Sequence, residues 1–223
     1  MHAAPWRRRG LRLGRHGARR PAEDGLAVRD HGRHSDPARA RAAIEAAYLE
    51  IDRIESLISS WRDSSETTAI NRAAGEHSVA VSRELFALIR RALKVSELTH
   101  GAFDITFATV GRLWDFKNRA PVLPASDRLD AAMDAVGFGY IVLNDADRSV
   151  YLARPDTRIG FGAIGKGYAA NRAVAALKDN GIASGVVNAG GVCSRSAGER
   201  TGSRESSGWP THDNRTAPWL VSD

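Results

Sequence analysis

The run Arg158-Ile159-Gly160-Phe161-Gly162-Ala163-Ile164-Gly165-Lys166-Gly167-Tyr168-Ala169-Ala170-Asn171-Arg172 limits what the rest of this chain can be. It reads as a strand, a bend with four glycines in eight residues, and then a helix from Ala169 to Lys178 with Ala173, Val174 and Leu177 on one side. A bend without Cβ atoms lets backbone N–H groups close on an anion, and a helix start adds unpaired donors and the positive end of the helix dipole. Lys166 places a full charge at that start. The spacing is not that of a P-loop, since no Ser or Thr follows Lys166, nor that of the G-x-G-x-x-G dinucleotide turn. The residues alone leave two readings open: a phosphate-binding turn, or a tight strand-to-helix connection whose lysine is solvated.

A net charge of +6 raises the question of a nucleic-acid partner. Its distribution answers it. Residues 1–35 hold nine arginines against Glu23, Asp24 and Asp30, which is the whole surplus, and the other 188 residues carry 23 basic and 23 acidic side chains. The globular part therefore has no excess for a phosphate backbone, and the basic segment lacks the aromatic context of a single-strand binder. That segment has few aliphatics and no period, so it is expected not to pack. It carries no apolar core of a secretory signal, and no apolar run approaches the roughly 18 residues of a membrane span. A single Cys193 excludes an internal disulfide.

Order is expected from Asp36, which can cap a helix beginning at Pro37. Ile44, Ala47, Tyr48, Ile51, Ile54, Leu57 and Ile58 recur there at steps of three and four, the mark of an amphipathic helix. In Ser60-Trp61-Arg62-Asp63-Ser64-Ser65-Glu66-Thr67-Thr68-Ala69-Ile70-Asn71, Ser65 caps a short helix and Asn71 is a polar cap at its end. An indole offers a flat face for stacking, and an amide that donates and accepts suits the edge of an aromatic heterocycle. A strand at His77 to Val81 leads to Ser82, the cap of a helix with Leu85, Leu88, Ile89, Ala92, Val95 and Leu98 inward and Arg83, Arg90, Arg91 and Lys94 outward.

That helix ends near Gly101, where Thr99-His100-Gly101-Ala102-Phe103-Asp104-Ile105-Thr106 begins. A carboxylate between Phe103 and Ile105 is costly to bury unpaired, so Asp104 caps a turn or meets a ligand; His100 is read as a surface side chain. Leu113-Trp114-Asp115-Phe116 is expected to anchor a loop by burying Trp114. A short helix is expected at Asp127 to Val136. Tyr140 to Leu143 and Ser149 to Leu152 form a hairpin around Asn144-Asp145-Ala146-Asp147, a turn cluster that lacks the glycine and late glutamate of a calcium loop. Asn180-Gly181 stops the helix after the glycine bend, and Gly185-Val186-Val187-Asn188-Ala189-Gly190-Gly191 is a strand and turn. Residues 193–223 show no period and are expected to be disordered or wrongly framed, with Val192-Cys193 unable to carry the sheet far.

Three of these stretches, in this order, resemble motifs of the ApbE family, the FAD:protein FMN transferases. Residues 158–172 resemble D-[FL]-G-[AG]-I-[GA]-K-G-Y-A-x-D, departing at Gly160 and Asn171, where the pattern carries aspartates. Residues 60–71 resemble S-x-[WY]-x-x-x-S-E-[IL]-x-x-[IFL]-N, and residues 99–106 resemble T-x-G-A-F-D-[IV]-T. Val187 to Gly191 looks like the family's V-N-x-G-G. The resemblance covers about residues 36–192, half to two thirds of a full-length member, and it implies an α+β fold of the ApbE (T-fold-like) kind, with two subdomains, a mixed sheet and flanking helices. By resemblance, residues 1–35 and 193–223 lie outside the domain, and 36–192 is a partial flavin transferase domain.

The same resemblance implies a reaction: FMN moves from FAD to a threonine hydroxyl of an acceptor protein, AMP leaves, and Mg²⁺ offsets phosphate charge. It puts Trp61, Asn71, Ala102, Phe103, Asp104, Gly160 and Lys166 on FAD, and gives the metal the carbonyl of Ala163. The family's other metal ligands, an aspartate and a threonine, come from a segment beyond V-N-x-G-G that has no equivalent here. Relatives begin with a strand carrying M-G-[ST], which residues 1–35 do not match; a shifted reading frame upstream of Asp36 would produce such a stretch. The alternative is a truncated or frameshifted fragment with at most weak flavin binding. Family members act outside the cytoplasm, so a periplasmic or membrane-associated location is implied.

Overall fold

The computed structural model describes residues 27–30, 37–114, 123–182, 185–189 and 192–196. In chain order these form β1 (Ala27–Asp30), α1 (Pro37–Ile58), α2 (Glu66–Arg72), β2 (Val79–Ala80), α3 (Arg83–Leu98), a 3-10 turn (Ile105–Phe107), α4 (Ala108–Gly111), α5 (Ser126–Asp134), a second 3-10 turn (Phe138–Tyr140), β3 (Ile141–Asn144), β4 (Ser149–Leu152), α6 (Gly165–Asp179), β5 (Gly185–Ala189) and β6 (Val192–Ser196).

Apolar residues spaced three and four apart decide where the cores form. Ala40, Ala43, Ile44, Ala47, Ile51 and Ile54 of α1 pack with Ala169, Ala170, Ala173, Val174 and Leu177 of α6, with Ile182 and Val187 beneath them. Small residues at this seam let the two helices approach closely. A second core gathers Ile70 of α2, Leu85, Phe86, Leu88 and Ile89 of α3, Val150 and Leu152 of β4, and Ile159 and Phe161 ahead of the glycine bend. Leu57 belongs to this second core and half-buried Ile58 touches both, so the end of α1 joins them.

The strands form two three-stranded sheets, β1-β5-β6 and β2-β4-β3. The α+β class holds; in place of one mixed sheet, every described pairing is antiparallel. Two strands lie where no order was expected. β1 pairs Ala27 with Asn188 through Asp30 with Gly185, and β6 pairs Val192 with Ala189 through Ser196 with Gly185. Val192-Cys193 thus does continue the sheet, for five residues. Both are edge strands whose alignment comes from backbone pairing with β5, which leaves no side-chain period in so short a run. Asp36, Asp115, Phe116 and the turn at Gly190-Gly191 lie outside the described residues.

Helix ends follow their caps. Ser65 Oγ accepts the N–H of Thr68 at 3.0 Å, and Ser82 Oγ accepts that of Leu85 at 3.2 Å. Gly181 has φ +84°, and its N–H and that of Ile182 close on the carbonyls of Lys178 and Leu177. Asn144 and Asp147 tie the β3–β4 turn by accepting the amides of Ala146 and Ser149. Three details differ from the sequence reading. Val95 and Leu98, expected to face inward at the end of α3, are exposed at 37% and 70%. Trp114 is only half-buried. Residues 157–160 belong to no helix and to neither sheet, yet one side chain meets both backbone groups of Arg158 and another meets both of Ile159, the alternation of an extended chain.

Candidate functional site

An extended segment outside a sheet still has backbone donors and acceptors to satisfy. Residues 157–160 meet them one at a time. Buried Thr157 donates its hydroxyl to Ala135 O at 2.7 Å. Thr109 Oγ1, on α4, accepts the Arg158 N–H at 2.8 Å and donates to Arg158 O at 3.2 Å. On α2, Asn71 accepts the Ile159 N–H through Oδ1 at 2.8 Å and donates Nδ2 to Ile159 O at 2.9 Å. Gly160 N–H then reaches Ile105 O at 3.0 Å. A Cβ on Gly160 would stand 2.9 Å from the Cβ of Ala108, so glycine is there for space.

Beyond this segment Phe161 is buried, and both Ile164 and Gly165 donate to its carbonyl. Gly162 and Ala163 are exposed in the bend, and Lys166 is exposed in the first turn of α6. The N-cap position is Ile164, which offers no side-chain acceptor. The amides of Lys166 and Gly167 have no backbone acceptor among the described residues. An uncapped helix start, two exposed bend residues and a movable ammonium together suit an anion. A Cβ on Gly165 would meet Ile58 Cδ1 at 2.8 Å, which puts this helix start against the end of α1.

The expected ligand contacts differ in exposure and in what already holds them. Trp61 follows the end of α1 directly and is 76% exposed, a free indole face. Asn71 is 9% exposed and its amide holds Ile159, so it is neither the cap of α2, a place taken by Ala73, nor an open edge for a heterocycle. Ala102 is exposed and Phe103 half-buried against the second core. Asp104 caps the turn: Oδ1 accepts the N–H and hydroxyl of Thr106, and Oδ2 accepts the Phe138 N–H, each at 2.7 Å. The Gly160 N–H bond to Ile105 places Asp104 one residue from the extended segment. His100 is exposed, in the left-handed region at φ 51°.

The metal expectation does not fit the described residues. Ala163 is exposed, and its O accepts no backbone bond among them. No group of three or more His, Cys, Asp or Glu among them could hold an ion, and both Asp104 oxygens already carry N–H or O–H donors. Mg²⁺ requires an octahedron of oxygens, and one carbonyl does not supply it.

Four residues that matter here escaped the sequence reading: Thr109, Thr157, Glu84 and Tyr168. The Tyr168 hydroxyl donates to Glu84 Oε1 at 2.6 Å, and Arg53 and Arg172 join Glu84 and Glu50 in one network across α1, α3 and α6. An open depression of about 410 Å³ lies beside it, rimmed by Arg83, Arg91 and Arg172, and holds none of the expected ligand residues. Burial, then the like charge of Arg112, holds the Arg158 guanidinium below its ordinary value.

Comparison with known proteins agrees with this geometry. The model of the ApbE family matches residues 26–219, beyond the bounds of 36 and 192 read from the motifs. A Treponema pallidum protein named FAD:protein FMN transferase is 31% identical over 159 residues, covering 69% of this chain and 44% of that one. A Klebsiella pneumoniae protein of the same name is 31% identical, covering 63% and 45%. The crystal structure of the Thermotoga maritima ApbE protein superposes with a TM-score of 0.65 at 27% identity, covering 76% of this chain and 55% of that one. The Vibrio cholerae flavin transferase ApbE, at 22% identity and a TM-score of 0.63, shares the fold. The chain thus spans somewhat under half the length of these curated relatives and just over half of the Thermotoga maritima structure, around the lower end of the half to two thirds that the resemblance implied.

Proposed function

Because this chain belongs to the ApbE family, we propose that it carries the FAD-holding part of an FAD:protein FMN transferase. The observation that supports this most is the exposed glycine bend at an uncapped helix start, held in place by Asn71 and Thr109 and bearing Lys166. In this reading the bend and the free amides of α6 take the diphosphate of FAD, Lys166 steadies its charge, and Trp61 offers a stacking face. Phe103 and Asp104 border the flavin by shaping the loop after α3, and the Asn71 amide works through Ile159.

The finer chemistry follows the family: FMN passes from FAD to a threonine hydroxyl of an acceptor protein, AMP leaves, and Mg²⁺ serves the phosphates. Among the described residues, Ala163 offers such a metal one backbone carbonyl. The location follows the family too, outside the cytoplasm; among the described residues no helix is long and apolar enough to cross a membrane. The second reading, a chain that binds flavin without transferring it, is supported by the lack, among the described residues, of a His, Cys, Asp or Glu group that could hold an ion.

One experiment separates them. The purified chain is titrated with FAD by flavin fluorescence, then incubated with FAD, Mg²⁺ and a threonine-bearing acceptor and examined for covalent flavin in a denaturing gel. Saturable binding that weakens about tenfold in Lys166→Ala supports the site. A fluorescent acceptor supports transfer; binding without it supports the second reading. Absence of binding refutes both.

A further inference from the structure

We propose that Thr109 is a positioning residue that fixes the register of the glycine bend, acting through the backbone of Arg158. The proposal rests on the bend being the diphosphate site.

In an extended chain the N–H and C=O of one residue point to the same side, and those of the next residue point to the other. Arg158 and Ile159 therefore turn their polar groups to opposite flanks. Thr109 on α4 meets both groups of Arg158, and Asn71 on α2 meets both groups of Ile159. Two side chains, 49 and 88 residues away in sequence, thus do what neighbouring strands do elsewhere.

A hydroxyl has one donor and two lone pairs, so a single Thr Oγ1 can accept and donate at once. Thr109 is fully buried, and valine has its shape without its hydrogen bonds. A slip of one residue in this segment would exchange the inward and outward faces, burying what the bend now exposes. Ile159 and Phe161, at 0% and 4% exposure, are the apolar residues that such a slip would turn outward. The grip on Arg158 lies a few residues ahead of the bend, close enough to set where Gly162 and Ala163 emerge.

The test compares Thr109→Val, Thr109→Ser and Thr67→Val with the parent chain. Thr67 is a control: it is buried and donates to Leu57 O at 3.1 Å, so its valine variant also loses a buried hydroxyl bond. Amide hydrogen exchange over residues 157–164 and FAD affinity are measured on each, with melting temperature alongside. Thr109→Val is expected to speed exchange at Arg158 and Ile159 and to weaken FAD binding about tenfold, and Thr109→Ser to restore both. Thr67→Val is expected to lower the melting temperature and leave both readouts at parent values. Should Thr109→Val not fold, Thr109→Cys, whose thiol hydrogen-bonds weakly, is expected to fall between the parent and full loss on both readouts. Unchanged exchange in Thr109→Val overturns the clamp, and so does an equal loss of FAD affinity in Thr67→Val. A parent chain that binds no FAD refutes the diphosphate reading instead, and the exchange measurement then still decides whether Thr109 sets the register.

Discussion

The hydroxyl of Tyr168 lies 2.6 Å from Glu84 Oε1 and joins the first turn of α6 to α3. Burial, and next the bond to Glu84, push the phenol up to about 12 from an ordinary value of 10.0. The folded-state value is raised, so the stability it reports is complete below the unfolded value near 10. It fades as pH rises toward 12. Of the four tyrosines, Tyr168 is expected to ionise late in a titration followed by tyrosinate absorbance, and the late step should vanish in Tyr168→Phe. A late step that survives the substitution would assign it to another tyrosine.

The acid limb of the stability curve should come from the same network. The Arg53 guanidinium, more than any other group, holds the carboxyls of Glu50 and Glu84 below their ordinary value of 4.5. A depressed carboxylate contributes stability above its unfolded value and loses it as pH falls through the folded value. Glu50 and Glu84 are half-buried, but the guanidinium groups of Arg53 and Arg172 reach solvent, so each pair contributes about 1 kcal/mol and salt weakens it. Urea midpoints measured from pH 7 down to pH 3 should fall below about pH 4.5. In Arg53→Met that part of the fall should shrink, and molar salt should produce the same flattening in the parent.

Asn71 gives a sharper expectation, because both backbone groups it holds are buried at Ile159, which is 0% exposed. Asn71→Ala leaves an N–H and a C=O unpaired, at roughly 2–4 kcal/mol in urea denaturation. Asn71→Asp can still accept the N–H, but it must be protonated to donate to Ile159 O. Its folded-state value is therefore raised, and the stability it retains is present at low pH and lost as pH rises. The gap between Asn71→Asp and the parent should be smaller at about pH 4.5 than at about pH 7.5. A gap that does not move with pH would mean that the donor half of the clamp contributes nothing.

What the sequence made legible was local. Ser65, Ser82, Asn144 and the Asn180-Gly181 stop each act on near neighbours in the chain, and the apolar spacing of α1 and α3 is visible without a partner. What it hid was distant. The segment before the bend looked like a strand because Ile159 and Phe161 alternate with small residues, and nothing in its composition says that side chains from α2 and α4 replace the neighbouring strands. Asn71 illustrates the difficulty: an amide able to bind a ligand edge has the same chemistry as one that binds a peptide group. β1 and β6 were hidden for a related reason, since edge strands draw their alignment from β5.

Gly160 departs from the family pattern, and the structure supplies a local reason. Its backbone is not in the left-handed region, so a side chain is barred by space alone: the nearest atom to a Cβ placed on Gly160 is the methyl of Ala108, at 2.9 Å. That methyl follows a 3-10 turn and cannot rotate away, so Gly160→Ala should force the backbone apart at roughly 1–3 kcal/mol. Ala108→Gly by itself should cost about 0.5–1 kcal/mol from helix propensity. If the contact is the cause, the double variant should be more stable than the two losses together predict, with a coupling of about 1 kcal/mol or more in urea denaturation. The same pair decides how the aspartate of the family pattern could stand here. Gly160→Asp should be tolerated when combined with Ala108→Gly and strongly destabilising when Ala108 is kept, whereas equal losses in both backgrounds would trace the glycine to something other than this close approach.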